Sequence, residues 1–115
     1  MSEPIVHQNP LYNLLRSENI DEFNRRKKMG EVTAEHLRGG DFRGLDLRNL
    51  DADGLDFSDA YFRAADLRGI DFRTCKLEGA SFCQAYISGC YFPATLSTEE
   101  IRLSIEKGIR VRYGT

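Results

Sequence analysis

The stretch "DFRGLDLRNLDADGLDF", Asp41 to Phe57, returns an apolar residue at Phe42, Leu47, Ala52 and Phe57, every fifth position. A helix repeats its buried face near 3.6 residues and a strand repeats at 2, so a period of five belongs to neither over this length. It belongs to a larger repeating unit. Extended in both directions without an insertion, the phase runs through Val32, Leu37, Phe42, Leu47, Ala52, Phe57, Phe62, Leu67, Phe72, Leu77, Phe82, Ile87 and Phe92. Two residues before each lies a second series, Gly40, Leu45, Leu50, Leu55, Ala60, Ala65, Ile70, Cys75, Ala80, Ala85 and Cys90, small or apolar throughout. Gly40 to Ala94 therefore holds eleven consecutive units that each bury two residues and turn the other three, mostly Asp, Arg, Gly, Ser or Tyr, to water. A chain that buries two alternate residues and then turns winds a solenoid of short extended segments, because only the next coil can pair each segment's backbone groups.

"AADLRG" at Ala64–Gly69 and "GIDFRT" at Gly69–Thr74 resemble the A(D/N)LXX unit of the pentapeptide-repeat family. That resemblance implies an all-β solenoid, a right-handed quadrilateral β-helix in which four units make one coil and residues 20 apart stack. Eleven units make just under three coils. Stacked in this way, Phe42, Phe62 and Phe82 form one column, Leu47, Leu67 and Ile87 another, and Val32, Ala52, Phe72 and Phe92 a third. Ala52 is small among large residues, and Leu45, Leu50 and Leu55 in its coil compensate the volume where later coils carry mainly Ala, Ile or Cys. Cys75 and Cys90 belong to the inward series and are expected to be buried thiols, whereas Cys83 points outward.

Stacked coils expose apolar ends that need covers. The chain divides into a helical cap and lead-in over 1–38, the repeats over 39–94, and a capping helix with an extended tail over 95–115. At the amino end Asn9-Pro10 opens a helix bearing Leu11, Leu14 and Leu15, and Asn19 with Glu22 forms a capping box for a second that Gly30 ends. At the carboxyl end Ser97 with Glu100 caps a helix, Leu96 and Ile101 staple it, and Gly108 stops it. Ile101 and Ile105 are expected to cover the last coil, with Leu103 facing out. Ile109, Val111 and Tyr113 alternate with Arg110 and Arg112 as an extended segment, either an unpaired edge or a fold-back that lengthens the cap.

The 115 residues are 41% hydrophobic and 30% charged with a formal charge of −2, the composition of one soluble domain. No basic flank precedes an apolar run and no segment approaches ~18 apolar residues, so secretion and membrane spanning are not expected and the cytoplasm is the default. No CxxC pair, phosphate-cradling loop or nucleophile elbow is present, so no enzyme, metal or cofactor is expected. Arg25–Lys28 reads as a solvated helix face rather than a nucleic-acid patch.

The leading expectation is a non-catalytic scaffold that binds an unidentified protein. Its candidate surface is Arg43, Arg48, Arg63, Arg68, Arg73, Leu103, Val111 and Tyr113, set against the alternative that the Arg and Asp columns only solvate the rod. The resemblance also implies a second reading, a DNA-mimicking modulator of a type II topoisomerase, since members that imitate DNA dimerise through their carboxyl ends. At ~4.8 Å per coil the rod is only about 13 Å tall, roughly four base pairs, so a mimic requires a dimer. The repeats carry nine acidic against six basic residues, with Arg43 beneath Arg63 and Arg48 beneath Arg68 interrupting any anionic face. A weak homodimer through the carboxyl end is expected from Leu103 and the tail.

Overall fold

The computed structural model describes residues 3–114; Met1, Ser2 and Thr115, which fall within the two expected caps, lie outside the described residues. Each five-residue unit closes a four-residue turn, as in Leu50 N–H to Leu47 O (3.1 Å) and Ala65 N–H to Phe62 O (3.0 Å). At nine of these corners the third residue takes the left-handed backbone of a type II turn: Gly44, Asn49, Gly54, Asp59, Ala64, Gly69, Gly79, Gln84 and Gly89, at φ of 56° to 81°. Four turns bring the chain back above itself. Parallel bridges join Asp41 to Tyr61, Asp46 to Asp66, Asp56 to Lys76, Tyr61 to Ser81, Asp66 to Tyr86 and Asp71 to Tyr91, each pair 20 residues apart. The predicted stacking register is therefore observed. Among the described residues regular strands are not: each face lasts only two or three residues before the next corner, so pairing is confined to isolated bridges.

The core follows the two inward series. Phe42, Phe62 and Phe82 stack at 5.4 and 5.2 Å between centroids with interplanar angles of 19° and 10°, and Phe72 and Phe92 stack at 5.7 Å and 18°. In the Ala52 coil the missing volume is supplied largely by Phe57, whose ring meets Phe42 at 5.4 Å and Phe62 at 5.2 Å. Each coil thus holds two phenylalanines. Leu50 and Leu55 are also buried there, while Leu45 is only partly so.

One corner differs. Thr74 occupies a turn position but does not take the left-handed backbone, which a β-branched residue enters only with strain. The ladder lapses on that face: no bridge joins Asp51 to Asp71, and Gly54 N–H, which would otherwise reach a carbonyl one coil up, bonds Thr74 Oγ1 at 3.1 Å. Thr74 Oγ1 in turn donates to Asp53. A cleft of about 540 Å³ opens there between Leu50–Asp53 and Asp71–Thr74.

The lower end is closed by α1 (Pro10–Arg16) and α2 (Ile20–Lys28), which bury Leu11, Tyr12, Leu15, Ile20 and Phe23. Asn9 caps α1 by accepting Tyr12 N–H at 2.7 Å. The predicted box on α2 is absent: Asn19 makes no side-chain cap bond, and Glu22 instead binds Arg25 at 2.7 Å and Arg26 at 3.0 Å, the cations one turn on. Lys27 reaches Asp51 at 3.3 Å, so the basic run is anchored on carboxylates and not simply solvated. Below the first coil, Asp41 N–H bonds the Tyr12 hydroxyl (3.0 Å), Asp46 N–H the Glu18 carboxylate and Asp51 N–H the Asn24 amide oxygen (2.9 Å). Ile5 pairs with Gly40 in parallel beside them.

The upper end is closed by α3 (Thr98–Lys107), with Ser97 as N-cap and Gly108 left-handed at its end. Its buried residues are polar, Glu100 and Ser104, whereas Ile101 and Ile105, expected to be the cover, are only partly buried. The reason is hydrogen bonding: Phe82 N–H donates to Ser104 Oγ at 2.8 Å and Gln84 N–H to Ile105 O at 3.0 Å. Buried Glu100 accepts Arg112 N–H at 2.9 Å and the Arg112 guanidinium at 3.1 Å, pinning the tail. Val111 is wholly buried and exchanges bonds with Gly79 and Ala80 at 2.9 Å, and Tyr113 Oη accepts Leu77 N–H at 3.0 Å. The tail is therefore the fold-back and not an unpaired edge.

Because Phe62 is sealed between two stacked neighbours, Phe62→Ala should cost about 3–5 kcal/mol in denaturant unfolding, whereas Arg63→Ala should cost under about 1. Comparable losses would show the phase to be wrong. Thr74→Gly allows a left-handed corner, and hydrogen exchange at Ala52 and Asp71 should slow as the missing bridge forms; unchanged exchange would mean that Thr74 does not hold the cleft open.

Candidate interaction surface

The outward positions form a repeated unit of their own. At six of the positions just before an inward residue an aspartate accepts the backbone N–H two residues on: Asp41 from Arg43 (3.1 Å), Asp46 from Arg48 (3.1 Å), Asp51 from Asp53 (3.2 Å), Asp56 from Ser58 (2.9 Å), Asp66 from Arg68 (3.2 Å) and Asp71 from Arg73 (2.9 Å). This local bond supports the corner and accounts for aspartate at that position.

Where the residue two on is arginine, its side chain folds back as a fork on the same carboxylate. Arg43 holds Asp41 at 2.8 and 2.9 Å, Arg48 holds Asp46 at 2.9 and 2.8 Å, Arg68 holds Asp66 at 2.9 and 2.7 Å, and Arg73 holds Asp71 at 3.0 and 2.8 Å. Arg48 also reaches Asp66 one coil up at 3.4 Å. The forks depress the carboxyl pKa values, and Asp46, bonded by the Arg48 guanidinium and its backbone amide, falls to about 2. Asp41, Asp66 and Asp71 shift down for the same reason, first through the fork from Arg43, Arg68 and Arg73 respectively. Four of the five candidate arginines are thus neutralised within their own units.

Arg63 is the exception. Tyr61 stands where an aspartate would hold it, and among the described residues Arg63 has no carboxylate partner. Tyr61 is engaged instead by Arg110, whose guanidinium lies 4.9 Å from the ring centroid and bonds the hydroxyl. Leu103 is half-buried and stands apart from the core cluster, consistent with its outward position, whereas buried Val111 and bonded Tyr113 are part of the cap and cannot serve as exposed docking groups.

Two further residues of the surface escape a reading based on charge. Tyr86 and Tyr91 are 60% and 58% exposed in successive units of the last coil, and Arg73 lies 4.7 Å from the Tyr91 ring. The signal was available as tyrosine in the outward place that aspartate fills elsewhere.

The thiols follow the inward series in part. Cys75 is buried and donates to Ala52 O at 2.9 Å, and burial pushes it up to about 12. Cys90 donates to Leu67 O at 2.9 Å, also raised by burial, but is only half-buried because no full coil lies above it. Cys83 is half-covered, near the Gly108 corner. His7 bonds Arg38 O at 2.7 Å and His36 accepts Thr33 N–H at 2.9 Å. Among the described residues no three His, Cys, Asp or Glu side chains are placed to hold a metal, and no helix is long and apolar enough to cross a membrane.

The forks predict an acid response. A carboxylate whose folded pKa lies below its ordinary value stabilises the fold above the ordinary value and ceases to do so as the pH falls through the folded one. Asp46 should titrate near pH 2 rather than 3.8 in carboxyl-carbon NMR, and Arg48→Ala should return it toward 3.8. A midpoint near 3.8 in the intact chain would mean the fork is not formed in solution.

The sequence model for pentapeptide repeats matches eight copies over residues 41–79 and 65–93. The chain matches no curated protein and no solved structure significantly. The match spans the same units whose turns, inward columns and Asp–Arg forks build the stack, and residues 41–93 of this chain belong to the pentapeptide-repeat family.

Proposed function

We propose that the chain is a non-catalytic protein-interaction scaffold, that its coils form the right-handed quadrilateral β-helix usual for its family, and that its partner docks on the side carrying Tyr86 and Tyr91. The observation that carries this reading is the exposure of these two tyrosines, 60% and 58%, on a surface otherwise faced by short polar and self-paired groups. Large rigid aromatic rings ringed by polar groups are the usual anchors of protein interfaces, and Arg73 stacked on Tyr91 extends the anchor. Because Arg43, Arg48, Arg68 and Arg73 are already paired, the partner's affinity would come from the rings, with unpaired Arg63 offering one carboxylate contact on another face.

The same forks argue against DNA mimicry, since a continuous anionic face would need those aspartates free. Affinity capture from the native cell should retain a partner with the intact chain and lose it with Tyr86→Ala/Tyr91→Ala, whose circular dichroism should be unchanged. Capture that ignores the double substitution would remove the tyrosine face as the site. Inhibition of topoisomerase supercoiling by the intact chain would replace the scaffold with the mimic, and sedimentation of the intact chain and Leu103→Glu would then show whether a dimer supplies the length.

A further inference from the structure

Within the stack, one face is joined to the next by three backbone bonds. Leu67 N–H reaches Tyr86 O and Gly69 N–H reaches Ser88 O, while Tyr86 N–H reaches Ala65 O, all at 2.9 Å. The faces of Phe42, Phe57, Phe62 and Leu67 each offer two N–H groups and one carbonyl upward in this way. On the last coil, two successive faces find these partners in the chain's own terminus. Leu77 N–H takes Tyr113 Oη (3.0 Å), Gly79 N–H takes Val111 O (2.9 Å), and Cys75 O lies 3.5 Å from Tyr113 Oη. Phe82 N–H takes Ser104 Oγ (2.8 Å), Gln84 N–H takes Ile105 O (3.0 Å), and Ala80 O takes Val111 N–H (2.9 Å).

The third face has no such cover. Ala85 C=O, Ile87 N–H and Gly89 N–H, the same trio in the same register, have no partner among the described residues. Above them lies a recess of about 280 Å³, apolar at Ile87, Ile101 and Ile105 and edged by Thr98 and Arg102.

We infer that the rim at Ala85–Gly89 captures an extended segment of a partner polypeptide, which pairs its backbone with the three free groups and places a branched aliphatic side chain in the recess. The occupant is specified by continuity with the adjoining faces. There the chain's own Arg110–Tyr113 lies extended along the same rim, bridges Ser81 and sinks Val111 out of solvent. Two amides and a carbonyl spaced along a backbone are complementary to another backbone, and such strand addition derives affinity from main-chain bonds and selectivity from the side-chain pocket. Tyr86 lies within this rim, but the inference rests on the backbone groups of Ala85, Ile87 and Gly89 and not on the tyrosine rings, so it stands or falls apart from that reading.

The test uses the pentapeptide with the sequence of Ile109–Tyr113, acetylated and amidated, titrated into the intact labelled chain, whose own tail already fills its place. Saturable shifts and slowed exchange are expected at the Ile87 and Gly89 amides, with Leu77 and Gly79 unchanged. Ile101→Glu should weaken the effect at least about tenfold, as should Thr98→Trp, an exposed rim substitution that leaves the cover intact; Leu103→Glu, on the same helix but away from the recess, should not. Silence at Ile87 and Gly89 up to millimolar peptide would overturn the inference. Shifts at Leu77 and Gly79 instead would show displacement of the chain's own tail, and the same shifts on concentrating the chain alone, with doubled mass, would make a second copy the occupant; either result overturns it too.

Discussion

A backbone wound in twenty-residue coils can pair its N–H and C=O groups only with the coils above and below, and at either end of the stack one of those neighbours is missing. The rest of the molecule is arranged around that deficit. Helices are a poor match to it, since their own backbone groups are already paired, so both caps work through selected side chains. Tyr12, Glu18 and Asn24 each serve one amide beneath the first coil, and Ser104 and Tyr113 do so above the last, joined by the free carbonyls of Ile105 and Val111. This explains why α3 buries Glu100 and Ser104 while its isoleucines stay half-exposed, a polarity inverted relative to an ordinary amphipathic helix.

Inside, a second constraint is the fixed cross-section. Each coil encloses the same space, so side-chain volume must be shared out coil by coil rather than column by column. Phe42 and Phe57, Phe62 and Phe72, and Phe82 and Phe92 meet that requirement with two rings per coil. Ala52 is the residue that shifts the second ring of the first coil from one face to the next. Thr74 then adds a local exception in the backbone, and the cleft opens where that corner stands above the Ala52 face.

On the outside, neutralisation is local. An aspartate that supports its corner and an arginine that returns to it form a closed pair within three residues, so a column of charges in the sequence is not a charged face in the structure. Among the positions that break this rule, Tyr61 holds the terminal strap through Arg110, while Tyr86 and Tyr91 face solvent.

The period of five, the two inward series and the stacking of residues 20 apart were legible in the sequence because they arise from local geometry repeated eleven times, and so were the helix ends marked by Asn9-Pro10, Ser97 and Gly108. The tertiary structure alone decided which groups end the stack. Whether Val111 and Tyr113 lie free or fold back depends on amides that are unpaired only because the chain stops coiling, a circumstance no local pattern encodes. Likewise Glu22 sits at a capping-box spacing from Asn19, yet competition from Arg25 and Arg26 directs its carboxylate elsewhere. The candidate surface divides in the same way: exposure of the arginines follows from the repeat, but their neutralisation, the isolation of Arg63 and the open rim at Ile87 and Gly89 follow from distances between residues that only folding brings together.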